Sequence, residues 1–265
     1  MKILTILFLT FTLSFAKVYY SKVEPYELRN ISSNVSGLVL FIDENMIGKK
    51  LTSKAYINID DVLDKKELFF VQEKLIFLRD MVSVNESVLK NLEESLKKKR
   101  ANYKRIKSLK IKSVVEKDKE FHDLISSENQ FLNTQKEIQN LKVQITDLKL
   151  REAQLARSVE DKNLTAKDFI LYSILVKVGQ VVSIATPLAQ VADTSKAKLT
   201  IYLDESDVLD AKKRVIYMDG KKTEYKISRI LNIADSKNIS KYMAQIIIKS
   251  PKIFSRLTKI ELRNE

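Results

Sequence analysis

Residues 169–195 read FILYSILVKVGQVVSIATPLAQVADTS, and how they are read decides the fold. Short apolar alternations surround Gly179, and no side chain in the run is suited to catalysis. A stretch of the same character, SGLVLFIDENMIGKKLTSKAYINIDD, spans residues 36–61. Alternation of this kind marks half-buried strands, and glycine supplies the positive-φ turns between them. Gly37, Gly48 and Gly179 are three of the four glycines in the protein, so they are read as structural turns. Alone, each fragment would expose a raw sheet edge. Together they would complete one β-module, provided the chain between them returns to where it started.

That intervening chain has the pattern of a coiled coil. Leu68, Val71, Leu75, Leu78, Val82, Asn85, Leu89, Leu92, Leu96, Lys99, Tyr103 and Ile106 alternate spacings of three and four. Only Asn85 and Lys99 break the apolar seam, and a polar seam residue can fix register at some cost in stability. A second seam runs through Leu124, Ser127, Phe131, Thr134, Ile138, Leu141, Ile145, Leu148, Glu152, Leu155 and Val159. Between the seams the heptad lapses, and Ser113-Val-Val-Glu116 fits a capping box that starts a new helix. The pattern predicts two antiparallel helices, about 67–109 and 114–160, each roughly 65 Å long. One continuous dimeric coiled coil is the rival arrangement; the seam break, the cap and the paired flanking modules favour the hairpin.

Composition excludes several chemistries. The 265 residues contain no cysteine, which removes disulfides, thiolate metal sites, cysteine nucleophiles and a lipid-acceptor thiol. The formal charge is +13, which points to acidic partners, an anionic membrane surface or nucleic acid. The first residues, MKILTILFLTFTLSFA, place Lys2 before a short apolar run that ends in Ser14-Phe15-Ala16. This is the form of a signal peptide, cleaved after Ala16; a buried strand or a retained anchor is the alternative. Export makes nucleic acid an unsuitable partner. No nucleophile elbow, phosphate loop or metal-ligand cluster is present, so neither an enzyme nor a cofactor is expected.

In order, the parts resemble a known family. Ala166, Asp168, Val176, Gly179, Thr186-Pro187-Leu188, Asp193 and Ser195 match the second half of the split lipoyl-like domain of HlyD-type membrane fusion proteins. These are the periplasmic adaptor subunits of tripartite efflux and type I secretion systems. Lys167, Phe169 and Ala185 depart from the family's proline and two glycines. The resemblance spans about 31–61, the helical segment and about 164–208. It implies an α+β fold: a long antiparallel coiled-coil hairpin inserted in a split lipoyl-like β-sandwich and followed by a small antiparallel β-barrel. The implied divisions are a signal peptide at 1–16, the split domain at 17–62 and 161–196, and the hairpin at 63–160 with its turn near 109–114. The barrel follows at 197–265. Leu199–Leu203, a hairpin around Asp219-Gly220, and KYMAQIIIKS supply its strands, and the sequence ends where a membrane-proximal domain, reduced or absent here, would follow. A lipoyl carrier displays a lysine where this chain inserts its helices, so a carrier role is not implied.

The hairpin tip holds the most unusual chemistry. From Lys97 to Val115 there are nine basic residues and no acid. Such a run is either a solvated helical face or a surface that steers an acidic partner. The resemblance implies that the tip docks a TolC-like outer-membrane channel, through an Arg, a Leu four residues later and a Ser near the turn. Arg105 and Leu109 fit that spacing, with Lys104 and Lys107 beside them. Ser113 stands about three residues early and is equally a helix cap. The resemblance further implies an inner-membrane transporter of RND or ABC type as partner, a hexameric or trimeric ring of copies, and peripheral association with the inner membrane. A periplasmic tethering coiled coil with no transport role is the other reading. The lone His122 reads as a surface residue, and Asp204, Glu205 and Asp207 read as turn chemistry.

Overall fold

The computed structural model describes residues 17–234 and 241–264. The signal-peptide reading falls on residues 1–16 and lies outside them. The order begins β1 (Lys17–Lys22), β2 (Glu24–Ser32), β3 (Gly37–Ile42), a helical turn at Glu44–Met46 and β4 (Ile57–Ile59). Two long helices follow, α1 (Val62–Ser108) and α2 (Val114–Lys162). Next come β5 (Asn163–Leu164), β6 (Ile170–Ile174), β7 (Val181–Val182), β8 (Pro187–Asp204) and the short α3 (Glu205–Val208). The chain continues through β9 (Val215–Met218), β10 (Lys221–Lys222), β11 (Ile227–Ala234), β12 (Lys241–Lys249) and β13 (Leu257–Arg263). Two compact units result. Of the described residues, one holds those up to Ser33, Ile42–Tyr56 and those from Thr165 on; the other holds Asn34–Phe41 and Ile57–Leu164.

In the first unit the two distant β fragments meet. Gly48 N donates to Leu171 O at 2.8 Å, and Leu171 N donates to Lys49 O at 3.1 Å. Leu51 N donates to Phe169 O at 2.8 Å, and Asp168 N returns a bond to Leu51 O at 3.1 Å. Ser33 and the Ala185-Thr186 segment exchange two further backbone bonds. Gly48 and Gly179 have φ of 79° and 85°, the left-handed region that glycine enters without a Cβ penalty. Ala185, where the family pattern has glycine, also has a positive φ, 68°, and Asp168 has 74°. Gly37 is different. It begins β3 outside the left-handed region, and a Cβ built on it would lie 2.7 Å from Ile59 Cγ2. Close approach, not turn geometry, is its requirement.

The strands of this unit other than β7 form two sheets, with order β1-β13-β9-β10 and β11-β12-β8-β2, and β6 also lies beside β8. Both contribute to one core. Ala197, Leu199, Ile201 and Leu203 point inward from β8 at alternate positions, against Ile246, Ile216, Ile260 and Leu262. Asp219 and Gly220, with φ of 49° and 81°, form the expected two-residue turn between β9 and β10. Among the described residues the backbone ladders leave the sheets open rather than closing a barrel. Where β1 nears β8, the link is a side chain: Thr200 N donates to Ser21 Oγ at 2.8 Å.

The second unit is the hairpin with β3, β4 and β5 beside one another in the order β5-β4-β3. The helices are antiparallel: α2 partners fall in number as α1 residues rise, from Glu67–Arg151 through Glu86–Lys142 to Arg100–Glu128. Val71 and Leu75 pack on Leu155, and Leu78 and Val82 pack on Ile138 and Leu141. The polar seam residues explain themselves here. Lys99 Nζ donates to Ser127 Oγ at 2.6 Å, so one polar residue of the first seam is matched by one of the second. Asn85 does not cross; its side chain bonds Met81 O in its own helix. At the base, Asn163 Nδ2 donates to Asp61 Oδ2 and Val159 O, while Asn58 donates to Asn163 Oδ1, tying the helix ends together.

Candidate functional site: the hairpin tip

α1 ends at Ser108, Leu109 leaves the helix with extended backbone, and Ser113 caps α2. The turn is therefore five residues, 109–113. Both halves of the capping box form: Glu116 N donates to Ser113 Oγ at 3.2 Å, and Ser113 N donates to Glu116 Oε2 at 3.0 Å. Lys112 Nζ adds an ion pair to Glu116 at 2.9 Å. Lys112 first, and the Ser113 amide and hydroxyl next, pull the Glu116 carboxyl down to about 2. Ser113 thus spends its hydroxyl on the helix start.

The cations around this turn divide into engaged and free. Arg100 pairs with Glu128, Lys112 with Glu116, and Lys99 enters the seam. Lys107 lies 5.9 Å from the Tyr103 ring centroid, and Tyr103 in turn packs against Phe121 across the hairpin. Arg105 is held by Asn102 Oδ1 at 2.8 Å, a neutral acceptor that orients the guanidinium without neutralising it. Among the described residues Lys97, Lys98, Lys104 and Lys110 have no ion-pair partner. The tip therefore projects fixed positive charge, which a carboxylate-bearing partner could meet with short charge-assisted bonds.

Apolar side chains lie between these cations. Ile111, Val114 and Val115 are 89%, 73% and 78% exposed, and Leu109 is partly exposed. Sequence reading singled out Leu109 and missed the other three. Their signal was present: LKIKSVV intersperses apolar residues with lysines and serine in a segment that no seam can bury. A second surface was also missed. Leu63, Phe70, Phe77 and Val84 recur every seven residues on α1, all exposed, with Phe69, Ile76, Met81 and Val88 beside them. A repeat of seven places them in one stripe, separate from the buried seam.

The acidic cluster at 204–207 is more than a turn. Asp207 is buried and accepts from Tyr19 Oη at 2.7 Å and Arg214 at 2.9 Å, with Lys17 Nζ at 2.9 Å. Burial opposes its charge, but Lys17, Tyr19 and Arg214 outweigh it and hold the carboxyl below the usual range. Burial, with Asp207 second, pushes the Tyr19 phenol well above its ordinary value. This node ties β1 to the α3 segment. Among the described residues no group of three or more potential ligands could hold a metal ion, and no helix is long and apolar enough to cross a membrane.

No protein-family model matches the sequence, and no curated protein matches it significantly. Solved structures do match. MacA from Actinobacillus actinomycetemcomitans superposes with a TM-score of 0.68, covering 93% of this chain and 78% of its own, at 17% identity. The chain has the fold of a membrane fusion protein. A MacA–MexA chimera carrying the Pseudomonas aeruginosa MexA α-hairpin domain matches at a TM-score of 0.53 and 14% identity, over 94% of this chain and 82% of its own. The membrane fusion protein Spr0693 from Streptococcus pneumoniae R6 matches at 0.50 and 10% identity, over 94% of this chain and all of its own. The shared membrane fusion protein fold includes the long hairpin; at these identities the likeness is one of architecture.

Proposed function

We propose that this chain is a periplasmic adaptor that links an inner-membrane transporter, of RND or ABC type, to a TolC-like outer-membrane channel. The observation that carries the reading is the tip, where unneutralised cations surround exposed Leu109, Ile111, Val114 and Val115 at the turn of a self-complementary hairpin. Charge of this kind speeds encounter with an acidic channel end, and the apolar residues bury on contact. Arg105, Lys104 and Lys107 would meet carboxylates or helix-end carbonyls, Leu109 would supply apolar contact, and Ser113 would hold the turn. No bond is made or broken; the work is positional, and no cofactor is needed.

The backbone pairing of the fragments near Gly48 and Leu171 supports a split lipoyl-like domain. β1, which the bounds 17–62 and 161–196 would include in it, pairs with β13 instead; the β-barrel position of such adaptors would then take in β1 along with the strands that follow residue 196. The apolar stripe from Leu63 to Val84 on α1 supports self-association of hairpins side by side in a ring, a trimer or hexamer. Delivery would use the N-terminal signal, with the mature protein peripheral to the inner membrane.

Photo-activated cross-linking from position 105 or 109 in cells tests the reading. Capture of an outer-membrane channel supports it. Capture of further copies of this chain alone favours a tether without a transport role.

A further inference from the structure

The long strand β8 changes partners along its length. Its first part pairs with β2 and β6, its second part with β12. At the change its register with β2 slips: Glu27 faces Asp193, but Pro25 faces Ala197. Two steps on β2 thus oppose four on β8, a bulge or irregularity in the ladder, and such departures from regular pairing are enriched beside functional sites. Here the surface opens as a cavity of about 470 Å³. That is within the range of sites for small organic molecules, roughly 300–1,000 Å³.

The cavity has a floor, walls and a charged rim. Ala192 is the register partner of both Leu28 and Ile170, so three apolar side chains stand abreast across β2, β8 and β6. Ala192 is 2% exposed and small, whereas Leu28 is 49% exposed, so the centre of the floor is depressed between taller neighbours. Tyr172 and Phe254 provide aromatic walls. Phe254 is held in place by its loop: Ser255 N donates to Val23 O at 2.8 Å, and Val23 N donates to Arg256 O at 2.9 Å. Ser255 accepts a strained φ of 67° to make that clamp. At the rim, Glu27 is neutralised by Arg29 at 2.7 Å. Lys22, Lys198 and Glu24 have no ion-pair partner among the described residues, although Glu24 and Lys198 are cross-strand neighbours. Two available cations against one available carboxylate leave the rim positive.

We propose that this cavity binds a small amphipathic organic anion, with an aromatic or branched apolar body on the Ala192 floor and a carboxylate or sulfonate head toward Lys22 and Lys198. Offset stacking on Tyr172 and Phe254 would select a flat body, and the lysines would select the anion. The site lies wholly within the first unit and is independent of any role for the hairpin tip.

Calorimetric titration of the full chain with naphthalene-2-sulfonate tests this. The expected result is saturable binding of one molecule per chain, weakened at least tenfold by Lys198→Glu and by Tyr172→Ser. Binding should be unchanged when the hairpin stripe is altered by Phe70→Ser with Phe77→Ser. Amide resonances of Ala192 and Thr194 should shift during the titration. Absence of saturable binding overturns the proposal. So does equal affinity in well-folded Lys198→Glu and Tyr172→Ser chains, loss of binding in the stripe variant, or tighter binding of 2-naphthylmethylammonium.

Discussion

The Lys99–Ser127 pair should behave as a polar lock inside the coiled coil. Ser127 is 6% exposed, and its hydroxyl lies 2.6 Å from an ammonium whose one other acceptor among the described residues is Asp123 O at 3.5 Å. Ser127→Ala removes the short bond and leaves a charge in a half-buried seam. A hydrogen bond to a charged group contributes about 1.5–3 kcal/mol. Water reaching the exposed stem of Lys99 discounts that, so a loss of about 1–2 kcal/mol is expected. Replacing both partners, Lys99→Leu with Ser127→Leu, avoids the orphaned charge and restores an apolar seam. That double variant should be more stable than the native chain, by about 1–3 kcal/mol from the added apolar burial. It should also lose register fidelity, because the polar match no longer penalises a slipped pairing. Urea unfolding followed by helical circular dichroism reads the hairpin, where nearly all the helix lies. If Ser127→Ala costs nothing and the double leucine variant gains nothing, the two residues do not face each other in the seam.

Three other outcomes follow from local geometry. Ala185→Gly should stabilise the protein by roughly 0.5–1 kcal/mol, because it relieves a left-handed alanine but frees the unfolded chain, whereas Gly179→Ala should cost about 1 kcal/mol; thermal melts of both variants check the opposite signs. Gly37→Ala should cost about 1–3 kcal/mol, since its Cβ would press 2.7 Å from Cγ2 of the fully buried Ile59, and the cost of Gly37→Ala should shrink when it is measured in an Ile59→Ala background. Glu116 should titrate near 2, below its ordinary value. A depressed acid stabilises the fold above its unfolded pKa and loses that effect as pH falls from about 4.5 toward 2, so carbon-detected NMR of the Glu116 carboxyl should show a low midpoint that rises in Lys112→Ala.

Much of this architecture was legible because it is written in periodicities. The seams at Val71–Val82 and Ile138–Leu155 recur at helical spacing, and Ser113 with Glu116 marks the second helix start chemically. The return of the chain followed from two β fragments that needed each other. Long-range and steric facts were not legible. Nothing local distinguishes Gly37, which is small to admit Ile59, from Gly48, which turns the chain. The Asp207 node joins residues 17, 19 and 214 from distant parts of the chain, so its acids looked like a turn. Whether strands close a barrel depends on backbone ladders that alternation does not specify. At the tip, Arg105 and Leu109 came from the resemblance, while the apolar trio Ile111, Val114 and Val115, though set between lysines in a run that no seam buries, was passed over as ordinary loop. The outward stripe on α1 was masked by the stronger seam beside it.

The most direct test of the doubled-back chain is a short cross-link between its two distant β fragments. Lys50 and Ile170 are cross-strand neighbours although the whole hairpin separates them in sequence. In a chain that has no native cysteine, Lys50→Cys with Ile170→Cys and a short bis-maleimide should give a linked monomer that migrates as one chain. Linked dimers alone, formed between chains and diluted away at low concentration, would show instead that the helices run on into a partner and that the fragments never meet within one molecule.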